Sequence, residues 1–318
     1  MSAGLKQNII DYSLELGFCD IGVAKAVPLD EEIEHYKEWL SRAYQGKMSY
    51  LERNLDKRHD VRNILPGAKS VIVLAYNYYC SFEHPPKEEL GRDHGKISRY
   101  AWNYDYHDII KPKLKEIASF IEKKAPGEKT WVYVDTGPVM EKAWAQRAGI
   151  GWLGKNGTII SKKFGSWILL GIIITTAELP ADEPEKDHCG KCTLCLENCP
   201  TEAIVEPKVV DSEKCISYHT IETKAEFDIP PAIAKNMNNF IFGCDICQEV
   251  CPWNRTKPEP TSDQHFYPRH GETVIPIDEI LDMSEDKFRE RFRKSPVKRP
   301  KLAGLRRNAK AMRDHYND

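Results

Sequence analysis

Residues 188–200 read HCGKCTLCLENCP and place four cysteines within eleven residues, followed directly by a proline. Eight of the ten cysteines in the 318-residue chain lie between positions 189 and 251. A second group, within FGCDICQEVCPWN at 242–254, ends with the same spacing and again with proline. In a reducing compartment, cysteines clustered in this way indicate metal or redox chemistry rather than disulfides.

The spacing is typical of bacterial iron–sulfur proteins, whose run is C-x2-C-x2-C-x3-C-P. Spacers of two residues allow three successive thiolates to ligate one face of a cubane cluster, and the fourth cysteine ligates the other cluster. The second run lacks its first cysteine, and Cys215 is the only spare one between the runs. The sequence therefore predicts two 4Fe–4S clusters with crossed ligands: Cys189, Cys192, Cys195 and Cys251 for the first, and Cys199, Cys215, Cys244 and Cys247 for the second. Zinc also uses C-x2-C pairs, but it does not require this pattern twice.

Length and composition limit the class of protein. A chain of 318 residues is long enough for about two domains, and 30% charged residues are ordinary for a globular protein. No apolar run reaches the ~20 residues of a membrane span. The first residues, MSAGLKQNII, lack the apolar core of a signal peptide. We therefore expect a cytoplasmic protein without a membrane segment.

Hydrophobic patterning predicts an α+β protein in three segments. The first, 1–180, contains predicted strands and helices; the second, 181–255, is ferredoxin-like; the third, 256–318, is a short helical basic tail. Proline-containing stretches at 178–187 and 256–263 are predicted linkers. The elements predicted in the first segment are helices at 4–16, 105–124 and 138–151, and strands at 71–79, 130–137 and within 157–177. Pro138 is the expected first residue of its helix.

Charge is distributed unevenly along the chain. Residues 289–313 contain eleven basic residues and one acidic residue, a net charge of +10, and since the whole chain carries −2 the remainder carries −12. Such a segment indicates either a polyanion partner or a solvated helix face.

Several stretches together resemble one known family. VDTGPVMEKAWAQRAGIGWLGKN at 134–156, FGSWILLG after it, CISYHT at 215–220 and RYAWNYDYHD at 99–108 resemble epoxyqueuosine reductases, the enzymes of the last step of queuosine synthesis in tRNA. The resemblance covers roughly residues 1–313. Longer family members continue into helical repeats after the ferredoxin module, so this chain resembles the short form.

The resemblance implies a cobalamin enzyme that reduces epoxyqueuosine to queuosine at wobble position 34 of tRNA. It implies an N-terminal cobalamin-binding α/β domain, an external low-potential electron donor and the anticodon loop as partner; we expect a monomer. The proton donor of the family falls on Asp135. The cobalamin contacts fall on Arg58, Ser98, Asp135, Lys155, Asn156, Ser166 and Ser217.

Two of these residues also have simpler interpretations. Asp135 ends an apolar strand before a predicted helix; a carboxyl group held against apolar neighbours suits a general acid, but an aspartate there can also cap the helix. Arg58, one of several cations in DKRHDVR, would alone be interpreted as surface charge.

The sequence lacks the Asp-x-His-x-x-Gly loop that supplies a histidine to cobalt in other cobalamin families. The nearest pattern places Ile110, three residues after His107, where glycine belongs. This pattern favours base-off cobalamin without a protein ligand to cobalt.

Two other functions share parts of the predicted plan. Reductive dehalogenases also combine cobalamin with two clusters, but they usually carry a twin-arginine signal, which this N-terminus lacks. A ferredoxin-type electron carrier would need neither about 180 residues beside its clusters nor the basic segment. The sequence therefore favours the reductase.

Overall fold

The computed structural model describes residues 2–256, 259–269 and 272–316 of the chain. The elements of the first half are α1 (Ser2–Glu15), β1 (Asp20–Lys25), α2 (Asp30–Ser41), α3 (Leu55–His59), β2 (Ser70–Asn77), α4 (Lys87–Leu90), β3 (His94–Ile97), α5 (Tyr106–Lys124), β4 (Thr130–Tyr133), α6 (Glu141–Arg147), β5 (Trp152–Leu153), β6 (Ile159–Ile160) and β7 (Ile168–Thr175).

The second half is made of shorter elements. They are α7 (Leu194–Glu197), β8 (Ile204–Glu206), β9 (Val209–Val210), α8 (Ile216–Ile221), α9 (Pro231–Ala234), β10 (Phe240–Phe242), α10 (Ile246–Glu249), α11 (Pro252–Arg255), β11 (Val274–Pro276), α12 (Ile277–Asp282), α13 (Glu285–Arg291) and α14 (Lys301–Asp314). Single 3₁₀ turns include Ser49–Glu52 and Pro296–Lys298.

The main sheet has the order β1-β2-β7-β4 with antiparallel pairs throughout. All eight residues of β2 are buried because helices cover both faces of the sheet. Successive side chains of a strand point to opposite faces. Ile72 and Leu74 accordingly pack with residues of α5, whereas Val71 and Val73 pack with residues of α6.

A second sheet joins distant parts of the chain. Its order is β10-β3-β11, with β3 parallel to β10 and antiparallel to β11. Each of the three predicted segments therefore contributes one strand to it, and the boundaries at 180 and 255 stay a prediction. The stretch 178–187 has neither helix nor strand, and the predicted linker 256–263 includes residues 257 and 258, which lie outside the described residues.

The C-terminal segment is helical and forms part of a hydrophobic core. α14 buries Leu302, Leu305, Ala309 and Met312 in the core that also contains β10. The Asn308 amide, also buried, donates to the carbonyl oxygens of Thr220 and Ile241 at 2.8 and 2.9 Å. The predicted α+β architecture with a helical basic end is confirmed.

The predicted helix at 138–151 is shorter in the structure. α5 agrees with its predicted bounds to within one residue, since Asp105 accepts the capping hydrogen bond from the backbone N–H of His107. α6, however, begins at Glu141, so the placement of Pro138 as its first residue is wrong. A Cβ atom on Gly137 would lie 2.1 Å from the Tyr133 ring. The chain therefore turns tightly back on β4 before the helix can begin.

Across the described ranges, no helix combines the length and the apolar character needed to cross a bilayer.

Candidate functional site

The first predicted set of thiols comes together in the fold. Cys195 interacts with Cys189, Cys251 and Cys192, and burial, with these neighbours, raises the pKa of its thiol to about 11. The four cysteines line one cavity of about 370 Å³. Trp152, which is buried next to this set, donates from Nε1 to the Cys189 sulfur at 3.4 Å. Four thiols around one cavity form a suitable donor set for a cubane cluster.

The second predicted set also converges, although its members are far apart in sequence. Burial raises the pKa of the Cys247 thiol, and Cys215 and Cys199 raise it further. Cys244 in turn interacts with Cys247 and Cys215. Cys199, the last cysteine of the first run, therefore lies with the second group, and Cys251, the last of the second run, lies with the first. The thiols are thus grouped as the predicted crossing requires, and their assignment as cluster ligands stays a prediction.

Asp135 lies in the loop between β4 and α6. It has φ 55°, an uncommon conformation for a residue other than glycine and one that clusters at functional sites. Its side chain is 58% exposed, and Oδ2 lies 3.8 Å from Nε2 of His107. The expected apolar wall around this carboxyl group is therefore wrong. The helix-cap interpretation is also wrong, because the N-cap residue of α6 is Met140.

His107 is a site residue that sequence reasoning did not select. Its Nδ1 lies 2.7 Å from Oδ1 of Asp105, which fixes the ring, while Nε2 is buried and has no hydrogen-bond partner in the described part of the chain. The sequence singled out Asp105-Tyr-His107 only as an incomplete cobalt-ligand pattern. Its position beside Asp135 depends on how α5 packs against β4.

A second carboxyl group, Glu141, borders the same space. Its Oε1 is buried and forms no hydrogen bond within the described ranges. Burial raises the pKa of Glu141 to about 7; Asp135 raises it further, whereas Lys142 and Arg58 oppose the shift. Lys142 interacts with Glu141, Asp135 and Cys247. Charges on both carboxyl groups and on one thiol of the second set therefore act on the same ammonium group.

Three residues predicted to contact cobalamin form hydrogen bonds with residues 245–254, the stretch that contains Cys247 and Cys251. The hydroxyl of Ser98 donates to Asp245 at 2.5 Å. Nδ2 of Asn156 donates to the Cys247 carbonyl at 3.4 Å. Ser166 donates from its hydroxyl to Gln248 at 2.9 Å and from its backbone to Asn254 Oδ1 at 2.7 Å. These side chains are thus already hydrogen-bonded around the second thiol set.

The other three predicted contacts occupy different environments. Lys155 donates to the carbonyl oxygens of Gly190 and Cys192 and so belongs to the first thiol set. Burial raises the pKa of the Cys215 thiol, and the backbone of Tyr218 and Ser217 opposes this shift, so Ser217 belongs to the second thiol set. Arg58 is buried, with its guanidinium 5.5 Å from the centre of the Tyr36 ring, so its interpretation as surface charge is wrong.

The C-terminal segment reaches this site through Arg299. Its Nη2 forms an ion pair with Oε2 of Glu222 at 2.8 Å, and its guanidinium interacts with Tyr50 and Asp135. Other basic residues of the segment have structural partners: Arg291 pairs with Glu272 and Glu279, and Arg313 pairs with Asp278.

Comparison with known proteins accounts for this combination of thiols and acids. A family model described as epoxyqueuosine reductase QueG, DUF1730 matches residues 58–136, and one described as a 4Fe-4S double cluster binding domain matches 188–254. An epoxyqueuosine reductase of Synechocystis sp. is 46% identical over 282 residues, 89% of this chain and 95% of that protein. The chain belongs to the epoxyqueuosine reductase family.

Solved structures of epoxyqueuosine reductases share the whole fold. One with an epoxyqueuosine-modified tRNA stem loop has a TM-score of 0.89 and 30% identity, covering 98% of this chain and 81% of the other. A Bacillus subtilis epoxyqueuosine reductase with its aspartate catalytic loop swung out of the active site matches equally well, covering 82% of that chain. The matches favour this family over the dehalogenase and carrier alternatives, and the double-cluster domain favours iron–sulfur clusters over zinc.

Proposed function

We propose that this chain is an epoxyqueuosine reductase, an oxidoreductase that reduces epoxyqueuosine to queuosine at wobble position 34 of tRNA. The observation that carries the proposal is a chain of contacts from α6 to the second thiol set. Lys142 of α6, on which the charge of Asp135 acts, donates to the Gly157 carbonyl at 2.6 Å, and the neighbouring Asn156 amide donates to the Cys247 carbonyl at 3.4 Å. The similarity to epoxyqueuosine reductases over almost the whole chain supports the same substrate.

The enzyme uses two 4Fe–4S clusters and cobalamin. The clusters are ligated by the two crossed thiol sets described above. Two buried polar atoms without partners in the described structure lie near Asp135: His107 Nε2, 3.8 Å from its Oδ2, and Glu141 Oε1, whose carboxyl group couples to it. A cofactor with many amide side chains fits such a lining, because unpaired buried polar groups are costly. We infer that cobalamin is bound there base-off, near Arg58, Ser98, Lys155, Asn156, Ser166 and Ser217.

The reaction consumes two electrons and two protons and releases water as the epoxide becomes an alkene. When bound, cobalamin supplies a reduced cobalt that delivers electrons to the epoxide carbon. Asp135 donates a proton to the departing oxygen from its exposed position in the loop. His107, fixed by Asp105, lies 3.8 Å away and orients the Asp135 carboxyl group. Asp135 also couples to a second acid, Glu141.

The proposal extends to partners and location. The substrate is the anticodon loop of tRNA, and the basic residues of 289–313 contribute phosphate contacts. An external low-potential donor reduces the clusters, and the protein acts as a cytoplasmic monomer. Within the chain, 1–180 binds cobalamin, 181–255 carries the clusters and 256–318 contacts tRNA.

Replacement of the proposed acid tests the function. Asp135→Asn keeps the shape of the side chain and removes its proton. We expect it to retain iron, cobalamin and tRNA binding but to lose turnover of epoxyqueuosine tRNA by about two to four orders of magnitude. Asp286→Asn, an exposed substitution in α13, is the control and should turn over normally. Product is measured by mass spectrometry of tRNA nucleosides under anaerobic conditions. Near-normal turnover by Asp135→Asn would remove the acid role.

The cofactors have a spectroscopic test. Visible spectra of anaerobic protein should show cobalamin bands above the iron–sulfur absorption, and the paramagnetic resonance spectrum of Co(II) should lack nitrogen splitting if the cofactor is base-off. Nitrogen splitting would instead indicate base-on cobalamin or a protein nitrogen ligand, and its loss in His107→Ala would identify that residue as the ligand.

A further inference from the structure

An exposed aromatic ring lies in a loop that packs against α8. Tyr50 belongs to the 3₁₀ turn Ser49–Glu52 and is 47% exposed. The backbone N–H of Lys47, in the same loop, donates to the Tyr218 hydroxyl of α8 at 2.7 Å. Charges on Glu222, Arg299 and Asp135 act on the Tyr50 hydroxyl group. One part of the ring is thus in contact with the protein and the rest is accessible to a ligand.

The cation next to this ring is held in place. Arg299 pairs with Glu222 at 2.8 Å and interacts with Tyr50 and Asp135. Its side chain is 47% exposed, whereas that of Glu222 is 21% exposed. The more buried carboxylate thus anchors a guanidinium whose remaining donors are available at the surface.

A second aromatic–cation pair continues the same surface. The ammonium group of Lys47 lies 4.0 Å from the centre of the Phe227 ring, and Phe227 is 39% exposed. Lys47 is three residues before Tyr50, and Phe227 is five residues after Glu222. Flat rings alternating with cations are the surface that binds unpaired nucleotides, because bases stack on the rings and phosphates contact the cations.

We propose that Tyr50 and Arg299 position the anticodon loop. The Tyr50 ring stacks on a base of the loop next to the nucleotide that enters the site, and Arg299 binds the phosphate between the two. In the same way, the Phe227 ring stacks on the base of the following nucleotide and Lys47 binds its phosphate. This inference rests on the proposed function, since it assigns the groups that deliver the modified base to Asp135.

The test compares variants that keep or remove each contact. The probe is an epoxyqueuosine-modified anticodon stem loop, and the measurements are its Kd at several salt concentrations and the separate kcat and KM values. Tyr50→Ala should weaken binding about five- to hundredfold, the range for loss of one stacked base, whereas Tyr50→Phe should bind almost as wild type. Phe82→Ala, another substitution of a partly exposed ring, is the control and should have no effect.

Arg299 requires a control for its ion pair. Arg299→Gln should raise Kd and KM and lower the slope of log affinity against log salt by about 0.7, the value for one phosphate contact in a single strand. Glu222→Gln breaks the same ion pair but leaves the cation, so it should bind the stem loop equally well or more tightly. Lys69→Gln, on an exposed side chain outside residues 289–313, should leave the slope unchanged or nearly so.

The outcomes separate this inference from the proposed function. If Arg299→Gln and Glu222→Gln weaken binding equally, the ion pair is only structural and the inference is wrong. Wild-type affinity in both Tyr50→Ala and Arg299→Gln would also overturn it. Failure of the wild-type protein, loaded with its cofactors, to reduce epoxyqueuosine tRNA would instead reject the proposed function. Iron content and the cobalamin spectrum of each variant exclude misfolding.

Discussion

Glu141 gives the protein a pH-dependent stability that one substitution should remove. Burial raises the pKa of this carboxyl group in the folded protein from its usual 4.5 to about 7. The unfolded chain therefore loses the proton at lower pH than the folded chain. The stability associated with neutral Glu141 is fully present below pH 4.5 and is lost as pH rises through about 7.

The magnitude follows from the two pKa values. At 1.36 kcal/mol for each pKa unit, a shift from 4.5 to about 7 corresponds to about 3 kcal/mol, of which about 2 kcal/mol falls between pH 5.5 and pH 8.5. Glu141→Gln cannot ionise and keeps a similar shape. We therefore expect that, as pH rises from 5.5 to 8.5, wild type loses about 2 kcal/mol more of its free energy of unfolding than Glu141→Gln does.

The assay is denaturant unfolding of cobalamin-free protein with its clusters assembled, at a series of pH values from 5.5 to 8.5. Glu285→Gln, an exposed glutamate at the start of α13, is the matched control and should follow the wild type. The comparison uses differences between proteins, so groups common to all of them cancel. Parallel curves for wild type and Glu141→Gln would refute the buried, uncharged state of Glu141.

Three further predictions concern the clusters, the packing and the basic segment. Cys215→Ala should lower bound iron from about eight to about four per chain and leave one cluster spectrum intact; full iron content would show that another group completes the second set. Gly165→Ala should destabilise the protein by about 2–4 kcal/mol in thermal unfolding, because φ is +60° and a Cβ would lie 2.0 Å from Asn254 Oδ1. Gly4→Ala, in open space on α1, is its control and should cost nothing. Replacement of Arg293, Lys294 and Lys298 by Glu should weaken tRNA binding and flatten its salt dependence. Unchanged binding would show that the segment is only a solvated helix face.

The cysteine pattern was sufficient to predict the grouping of the thiols. Short, repeated spacing fixes which thiols can reach one cluster, because the chain between them is too short for alternatives. The strands were equally accessible to sequence reasoning. β2 and β7 are runs of β-branched and aliphatic residues that are stable only when both faces of the sheet are covered. Alternate side chains of each strand pack into the two cores on opposite faces of the sheet.

Local patterning failed where a tertiary contact determines the backbone. The predicted start of α6 at Pro138 follows normal capping preferences, but Gly137 packs against the Tyr133 ring and delays the helix to Glu141. The same turn places Asp135 at φ 55°, and no residue pattern specifies that conformation. An aspartate that looked like a helix cap is therefore an exposed side chain in a strained loop.

The composition of the site is a property of the tertiary structure alone. His107 and Arg299 come near Asp135 only because α5 packs on β4 and α14 packs against α8, where Glu222 holds Arg299. Hydrophobic periodicity reports which face of an element is buried, but not which distant element covers it, since many partners offer a similar apolar surface. The sequence thus determined the grouping of the cysteines and the main strands. Folding of the C-terminal segment back onto the N-terminal half brought the acid, the cation and the aromatic ring to one opening.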